Sequence, residues 1–173
     1  MSRLYTIPLK GLKQGHHTFR FEVDNEYFEN FEESEIKEGS LAVVAEVEKR
    51  SSHLELEIVI SGQVKLCCDR CLDMFYFPLE CRNSIIVKNG PGHDESDPDL
   101  IILALNEQEL DLKQYIYEFI YLALPIRRVH PQGSDGKSTC DPEMIRKLHE
   151  HIVDEEPVDN PAWDELKKLM NDN

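Results

Sequence analysis

Apolar and polar positions alternate through the first half of the chain, and the period changes to a helical one near residue 110. Tyr5, Ile7 and Leu9 alternate with Leu4, Thr6 and Pro8, and Gly11 closes the run. His17, Phe19, Phe21 and Val23 alternate with Thr18, Arg20 and Glu22, which predicts a strand buried on one side. Asp24 can cap a short helix over 25–33, with Tyr27, Phe28 and Phe31 on its apolar side. Lys37 to Ser40 reads as a turn, and 41–48 as the next strand. In the longest pattern, Leu54, Leu56, Ile58, Ile60, Val64 and Leu66 share one parity, while Glu55, Glu57, Ser61, Gln63 and Lys65 share the other. A period of two over that length predicts a long antiparallel strand with one wet face, and Gly62 within it predicts a bulge or bend. Alternation resumes at Phe75, Phe77, Leu79, Cys81, Ile85 and Val87. The two runs therefore read as a hairpin whose connection is Cys68-Asp69-Arg70-Cys71.

After a polar, Gly/Pro-rich loop over 90–98, Leu100 to Leu105 can form one more strand. Leu112, Ile116, Phe119 and Ala123 then recur at helical spacing, widened by Tyr115, Ile120 and Leu122. Asp111 is the expected N-cap, and the helix must stop before Pro125. A second loop, 131–138, precedes two short helical patterns, one opened by Asp141-Pro142-Glu143 and one by Asn160-Pro161-Ala162-Trp163. Strands first and helices last predict the α+β class: mainly antiparallel sheet with a CxxC hairpin turn, packed helices and a short helical C-terminal tail. A length of 173 residues suits one domain. The expected core is 1–130, with 131–173 as a loop and helical acidic tail packed on it or extending from it.

Charge narrows the partners. The formal net charge is −15, and an acidic body is repelled by nucleic-acid phosphates unless basic side chains gather on one face. Basic proteins are the easier partners. No run of 18 apolar residues occurs, and the first residues hold no signal-like apolar stretch, so a cytosolic protein without a membrane span is expected. Five cysteines in a reducing compartment read as thiols or metal ligands and not as a disulfide framework.

Cys68 and Cys71 can grip one tetrahedral ion if two more ligands come from elsewhere, and His130 and Cys140, flanking 131–139, are the suitable second pair. A structural zinc site on Cys68, Cys71, His130 and Cys140 is one reading. Buried, inert thiols are a second, and a redox pair is a third, although a redox CxxC belongs at a strand end that opens a helix. Cys67 and Cys81 read as packing residues. Arg127 and Arg128 form the best basic spot, either a nucleic-acid contact or ordinary ion pairs with nearby acids. His16 and His17, beside Lys10, Lys13 and Arg20, make a weaker one. Asp154-Glu155-Glu156 and Asp164-Glu165 read as a solvated face or as a holder for a Lys/Arg-rich partner. No phosphate-cradling glycine loop, GxSxG elbow or HExxH pair is present, so no catalytic residues and no small-molecule substrate are expected.

Two segments together resemble a known family. Cys68-Asp69-Arg70-Cys71-Leu72 is similar to the C-x-R-C-L turn of the YceD family, the large ribosomal RNA subunit accumulation proteins. Asp111-Leu112 through Leu122-Ala123-Leu124-Pro125-Ile126, then Val129-His130 and Cys140, is similar to that family's helix, its L-x-L-P exit and the polar residues beyond the exit. Some relatives carry a second cysteine-rich knuckle where this chain has His130 and Cys140. An arginine is usual after the tail proline, where this chain has Ala162-Trp163. The resemblance implies a cytosolic protein needed for normal levels of large-subunit (23S) ribosomal RNA, with no known reaction. The expected function is thus a non-enzymatic factor in rRNA accumulation, processing or ribosome assembly. It would act through a basic large-subunit ribosomal protein, or through limited rRNA contact at Arg127 and Arg128. The rivals are a thiol-redox enzyme using the CxxC pair and a purely RNA-binding module.

Overall fold

The computed structural model describes residues 4–90, 99–104, 107–133 and 136–152. Its elements in chain order are β1 (Thr6–Pro8), β2 (Gly15–Val23), α1 (Asn25–Glu29), β3 (Gly39–Lys49), β4 (His53–Cys67), β5 (Met74–Asn89), β6 (Leu100–Leu103), β7 (Glu109–Asp111), α2 (Lys113–Leu122) and α3 (Pro142–His151). The alternating runs form one sheet in the order β2-β3-β4-β5-β6, and β1 and β7 pair separately. Neighbours β2 to β5 are antiparallel. β6 runs parallel to β5, so the class is α+β with a mainly antiparallel, mixed sheet.

Side-chain parity decides which face is covered. Leu54, Leu56, Ile58, Ile60, Val64 and Leu66 of β4 are all buried, as are Leu41, Val43, Ala45 and Val47 of β3. The intervening β4 residues are at most half-buried. The buried face joins one core with Tyr27 and Phe28 of α1, Ile7 of β1, Leu110 of β7 and Ile116 and Ile120 of α2. The Tyr27 hydroxyl donates to Lys113 O at 2.7 Å, which ties α1 to the start of α2.

At Gly62 the β3 backbone leaves no room for a side chain on β4. Its φ is +152°, and a Cβ there would stand 2.2 Å from Ser40 O and 2.8 Å from Leu41 Cα. The pairing runs unbroken through it, Gly62 opposing Leu41 on one side and Leu79 on the other. A bulge needs one extra residue on one strand. None is present, so the expected bulge is corrected to an uninterrupted strand with a tight crossing.

Three local expectations also change. α1 stops at Glu29 and not at 33, because the Asn30 side-chain amide donates to the Glu26 and Tyr27 carbonyls and takes over the end of the helix. Asp111 belongs to β7, yet its carboxylate still accepts from Lys113 N at 2.8 Å, so strand and helix meet without a loop. The β1–β7 pairing itself has no counterpart in the sequence reading. The first tail pattern is α3, capped by Asp141 with Pro142 in its first turn. The Asn160 pattern and the acidic runs at 154–156 and 164–165 lie outside the described residues. No described helix is long and apolar enough to cross a membrane.

Tyr121 ties α2 to the loop before β3. Its hydroxyl accepts from Glu35 N at 2.7 Å and sits 3.0 Å from the Oγ of buried Ser34. Burial pushes this phenol up, but Ser34, Tyr117 and the Ile36 and Glu35 N–H groups outweigh it and leave it below its ordinary value. Tyr121→Phe should therefore lower stability by about 1–3 kcal/mol, the usual cost of leaving such donors without an acceptor. A urea midpoint unchanged from the wild type would contradict this role.

Candidate metal centre

The β4–β5 connection is short, and its backbone is bonded to itself. Cys67 pairs with Met74 at the last rung. Within the turn, Cys68 N donates to Asp73 O and Leu72 N to Cys68 O, each at 2.9 Å. Leu72 closes it at φ +62°, a left-handed conformation that costs a leucine about 1–2 kcal/mol. The side chain that carries this cost is 66% exposed.

A second segment is fastened to this turn. Beyond α2, Asp69 N donates to Arg128 O at 2.7 Å, and Arg128 N donates to the Asp69 carboxylate at 2.6 Å. This two-way bond delivers His130 two residues later. The chain then folds back on itself. Gln132 bridges to Ser138, Gly133 N donates to Lys137 O, and the Thr139 hydroxyl donates to Pro131 O at 2.7 Å. Cys140 returns beside His130 and leads directly into α3.

Cys68, Cys71, His130 and Cys140 thus meet with every ligand atom within 4.8 Å of the others. The Cys68 and Cys140 sulfurs are 3.8 Å apart, and Cys71 Sγ is 3.3 Å from His130 Nδ1. Zinc bonds of about 2.3 Å to sulfur and about 2.0 Å to nitrogen give tetrahedral edges of about 3.8 Å for S···S and about 3.5 Å for S···N. The donor chemistry and these separations fit such an ion. The three cysteines are buried, and the Phe75 ring lies 4.7 Å from the His130 ring.

Electrostatics favour the same chemistry. Burial pushes the Cys68 thiol up, but N–H groups of Cys71, Arg70 and His130, with the His130 side chain, bring it down to about 6. Burial raises the Cys71 thiol; the Asp73 and Asp141 N–H groups offset part of that, and neighbouring Cys68 and Cys140 raise it further. Three thiolates this close repel one another, and a divalent cation among them removes the repulsion.

The other expected residues separate. Arg127 is exposed and makes no ion pair with another described residue. Arg128 pairs with Glu35, and its backbone is held by Asp69, so it braces the turn. Cys81 is half-buried beside Phe119 O, but Cys67, expected to pack inside, is exposed because it falls on the outward parity of β4. Of the weaker basic spot, His17 bonds Lys13 O and His16 faces Glu48. Asp69 and Thr139, which shape both arms, do not stand out in the sequence. The only signal there is that each lies beside a candidate ligand.

Residues 56–170 match the family described as large ribosomal RNA subunit accumulation protein YceD. No match to a curated protein or to a solved structure was found. The matched stretch spans well over half of the chain and contains all four clustered donors. The chain therefore belongs to the large ribosomal RNA subunit accumulation protein YceD family.

Proposed function

We propose that Cys68, Cys71, His130 and Cys140 hold one structural zinc ion in a cytoplasmic, non-enzymatic factor that supports 23S ribosomal RNA accumulation, processing or ribosome assembly. The supporting observation is the convergence of four soft and borderline donors, carried by segments up to 72 residues apart, to within 4.8 Å. Zinc, when bound, supplies a crosslink between the CxxC turn, the α2 exit and the arm that leads to α3. The same geometry disfavours the thiol-redox reading. Both CxxC thiols point at a histidine or a third cysteine, and the motif joins two strands and opens no helix. Cys140 is buried in the core beyond residue 130, so the arm 131–140 functions with the core and the tail begins after it.

Contact with the ribosomal partner falls to Arg127, which is exposed and makes no ion pair with another described residue, with Arg128 as its brace. The net charge of −15 favours a basic large-subunit protein as the main partner and limits rRNA contact to this spot. Pull-down of the tagged protein from lysate, with and without ribonuclease, separates the two partners. A basic large-subunit protein that survives ribonuclease supports protein contact. Ribosomal material lost with ribonuclease supports RNA contact, and Arg127→Ala should then abolish it. Depletion that leaves precursor and mature large-subunit RNA unchanged would overturn the functional reading.

The brace has its own test. Asp69→Ala removes the carboxylate that holds Arg128 N, and should weaken zinc affinity about 10-fold or more, as loss of groups that orient metal ligands does. Competition with a chromophoric chelator measures it, and an unchanged affinity would show that the turn needs no brace.

A further inference from the structure

β2 ends the sheet order β2-β3-β4-β5-β6 and pairs with β3 alone. The direction of its backbone groups follows from register. Arg50 N donates to His53 O and Lys65 N to Glu38 O, so the even-numbered residues of β3 bond β4 and the odd-numbered ones bond β2. In an antiparallel strand the N–H and C=O of one residue point to the same side. His17, Phe19 and Phe21 therefore bond β3, while His16, Thr18, Arg20 and Glu22 turn their N–H and C=O outward. The Tyr5 hydroxyl takes one of these groups, donating to Glu22 O at 3.0 Å. The backbone groups of Thr18 and Arg20 have no outward partner among the described residues. β2 is nine residues long with unbroken pairing and no proline, so neither a bulge nor a proline blunts this edge.

A groove adjoins the same edge. It brings Phe21 and Glu22 of β2 together with Tyr5, Tyr27, Glu26 and Glu29. The Tyr5 ring lies 6.1 Å from that of Phe21 and 4.9 Å from that of Tyr27, which gives the groove an aromatic wall. Glu22, Glu26 and Glu29 are exposed and make no ion pair with another described residue. With Asp24 they outnumber the cations of the groove, Arg20 and Lys113, and Lys113 stands over the Phe31 ring. Burial, then the charges of Asp24 and Glu26, raises the Tyr5 phenol, so these carboxylates act on the group that caps the edge.

We propose that the free edge of β2 takes an extended, Lys/Arg-containing segment of a basic protein as a further strand. Its main chain pairs with Thr18 and Arg20, and its cationic side chains enter the groove of Glu22, Glu26 and Glu29. Main-chain pairing supplies affinity, and the excess of carboxylates selects a basic segment over an acidic one. A second copy of this chain would bring the same carboxylates to the groove, and so fits less well. The inference deepens the protein-contact reading and rests on it for the class of partner.

Amide exchange in the full-length protein tests the edge, with blocked Lys-Val-Lys-Val-Lys-Val as the probe and Glu-Val-Glu-Val-Glu-Val as its control. In the free protein the Thr18 and Arg20 amides should exchange faster than those of Phe19 and Phe21. The basic peptide should slow them, and the acidic one should not. Thr18→Pro removes an outward N–H and spares the β3 ladder, since proline is tolerated where a strand's N–H faces out. It should weaken binding of the basic peptide about 10-fold or more, the equivalent of one or two lost hydrogen bonds. Glu26→Gln combined with Glu29→Gln should also weaken it, with the backbone of β2 untouched, and circular dichroism verifies that the variants remain folded. Thr18 and Arg20 amides already protected in the free protein overturn the inference, because the edge is then occupied by the chain itself or by a second copy. So does equal binding of the two peptides, or slowing by neither. These outcomes leave the depletion and pull-down results untouched, so a failure of the edge is distinct from a failure of the ribosomal reading.

Discussion

Removal of the metal, or Cys71→Ser, is expected to lower the thermal midpoint by about 6–12 °C. That range corresponds to a loss of about 3 kcal/mol in a chain of this size, a modest fraction of what a structural zinc ion contributes to folding. The reason is topological. Among the described residues, the Asp69–Arg128 pair fastens the turn at Cys68–Cys71 to the α2 exit, and bonds between 131–133 and 137–139 fasten that exit to the return at Cys140, so the ion is what ties Cys140 directly to the turn. Without the ion, three buried sulfurs face one another with no central charge. Elemental analysis of protein purified without a metal-binding tag should give about one zinc per chain. Affinity should fall as pH is lowered, because Cys71, whose thiol burial raises, must lose its proton to bind. Cys67→Ser is the control, since that thiol is exposed and outside the cluster. A metal-free sample with the full midpoint would end the zinc reading.

Gly62→Ala is expected to cost about 4 kcal/mol or more, and to reduce soluble yield. The added Cβ would stand 2.2 Å from Ser40 O and 2.8 Å from Leu41 Cα, both backbone atoms that cannot swing aside. The strands must separate, and with them the buried partners Val43, Ile60 and Val64, or the residue must abandon φ +152° and break the register on both sides. Effects of this size belong to a short set of mechanisms, backbone strain and overpacking among them. Gly11→Ala provides the comparison. Its φ is +83° with nothing within 4 Å of the added atom, so only the left-handed penalty of about 1 kcal/mol applies. Equal losses in urea denaturation for the two variants would show that the β3–β4 crossing is looser than these distances require.

Burial parity was readable from residue order alone. β2 and β4 follow the alternation of Phe19 and Leu56 with their polar neighbours, because a strand with one covered face repeats every two residues whatever covers it. Asp24 and Asp141 as caps, and the end of α2 before Pro125, were readable for the same reason: each depends on atoms a few residues apart. The four donors could be named as ligand types by their chemistry. What no local pattern carries is which segment meets which. The parallel β5–β6 pairing, the β1–β7 ribbon, the unbroken register through Gly62, the 3.8 Å between Cys68 and Cys140 across 72 residues, and the diversion of Arg128 to Glu35 are all decided by the tertiary structure. Periodicity reports that a face is buried. The partner that buries it, and the carboxylate that claims an arginine, depend on how the distant parts of the chain close around the core.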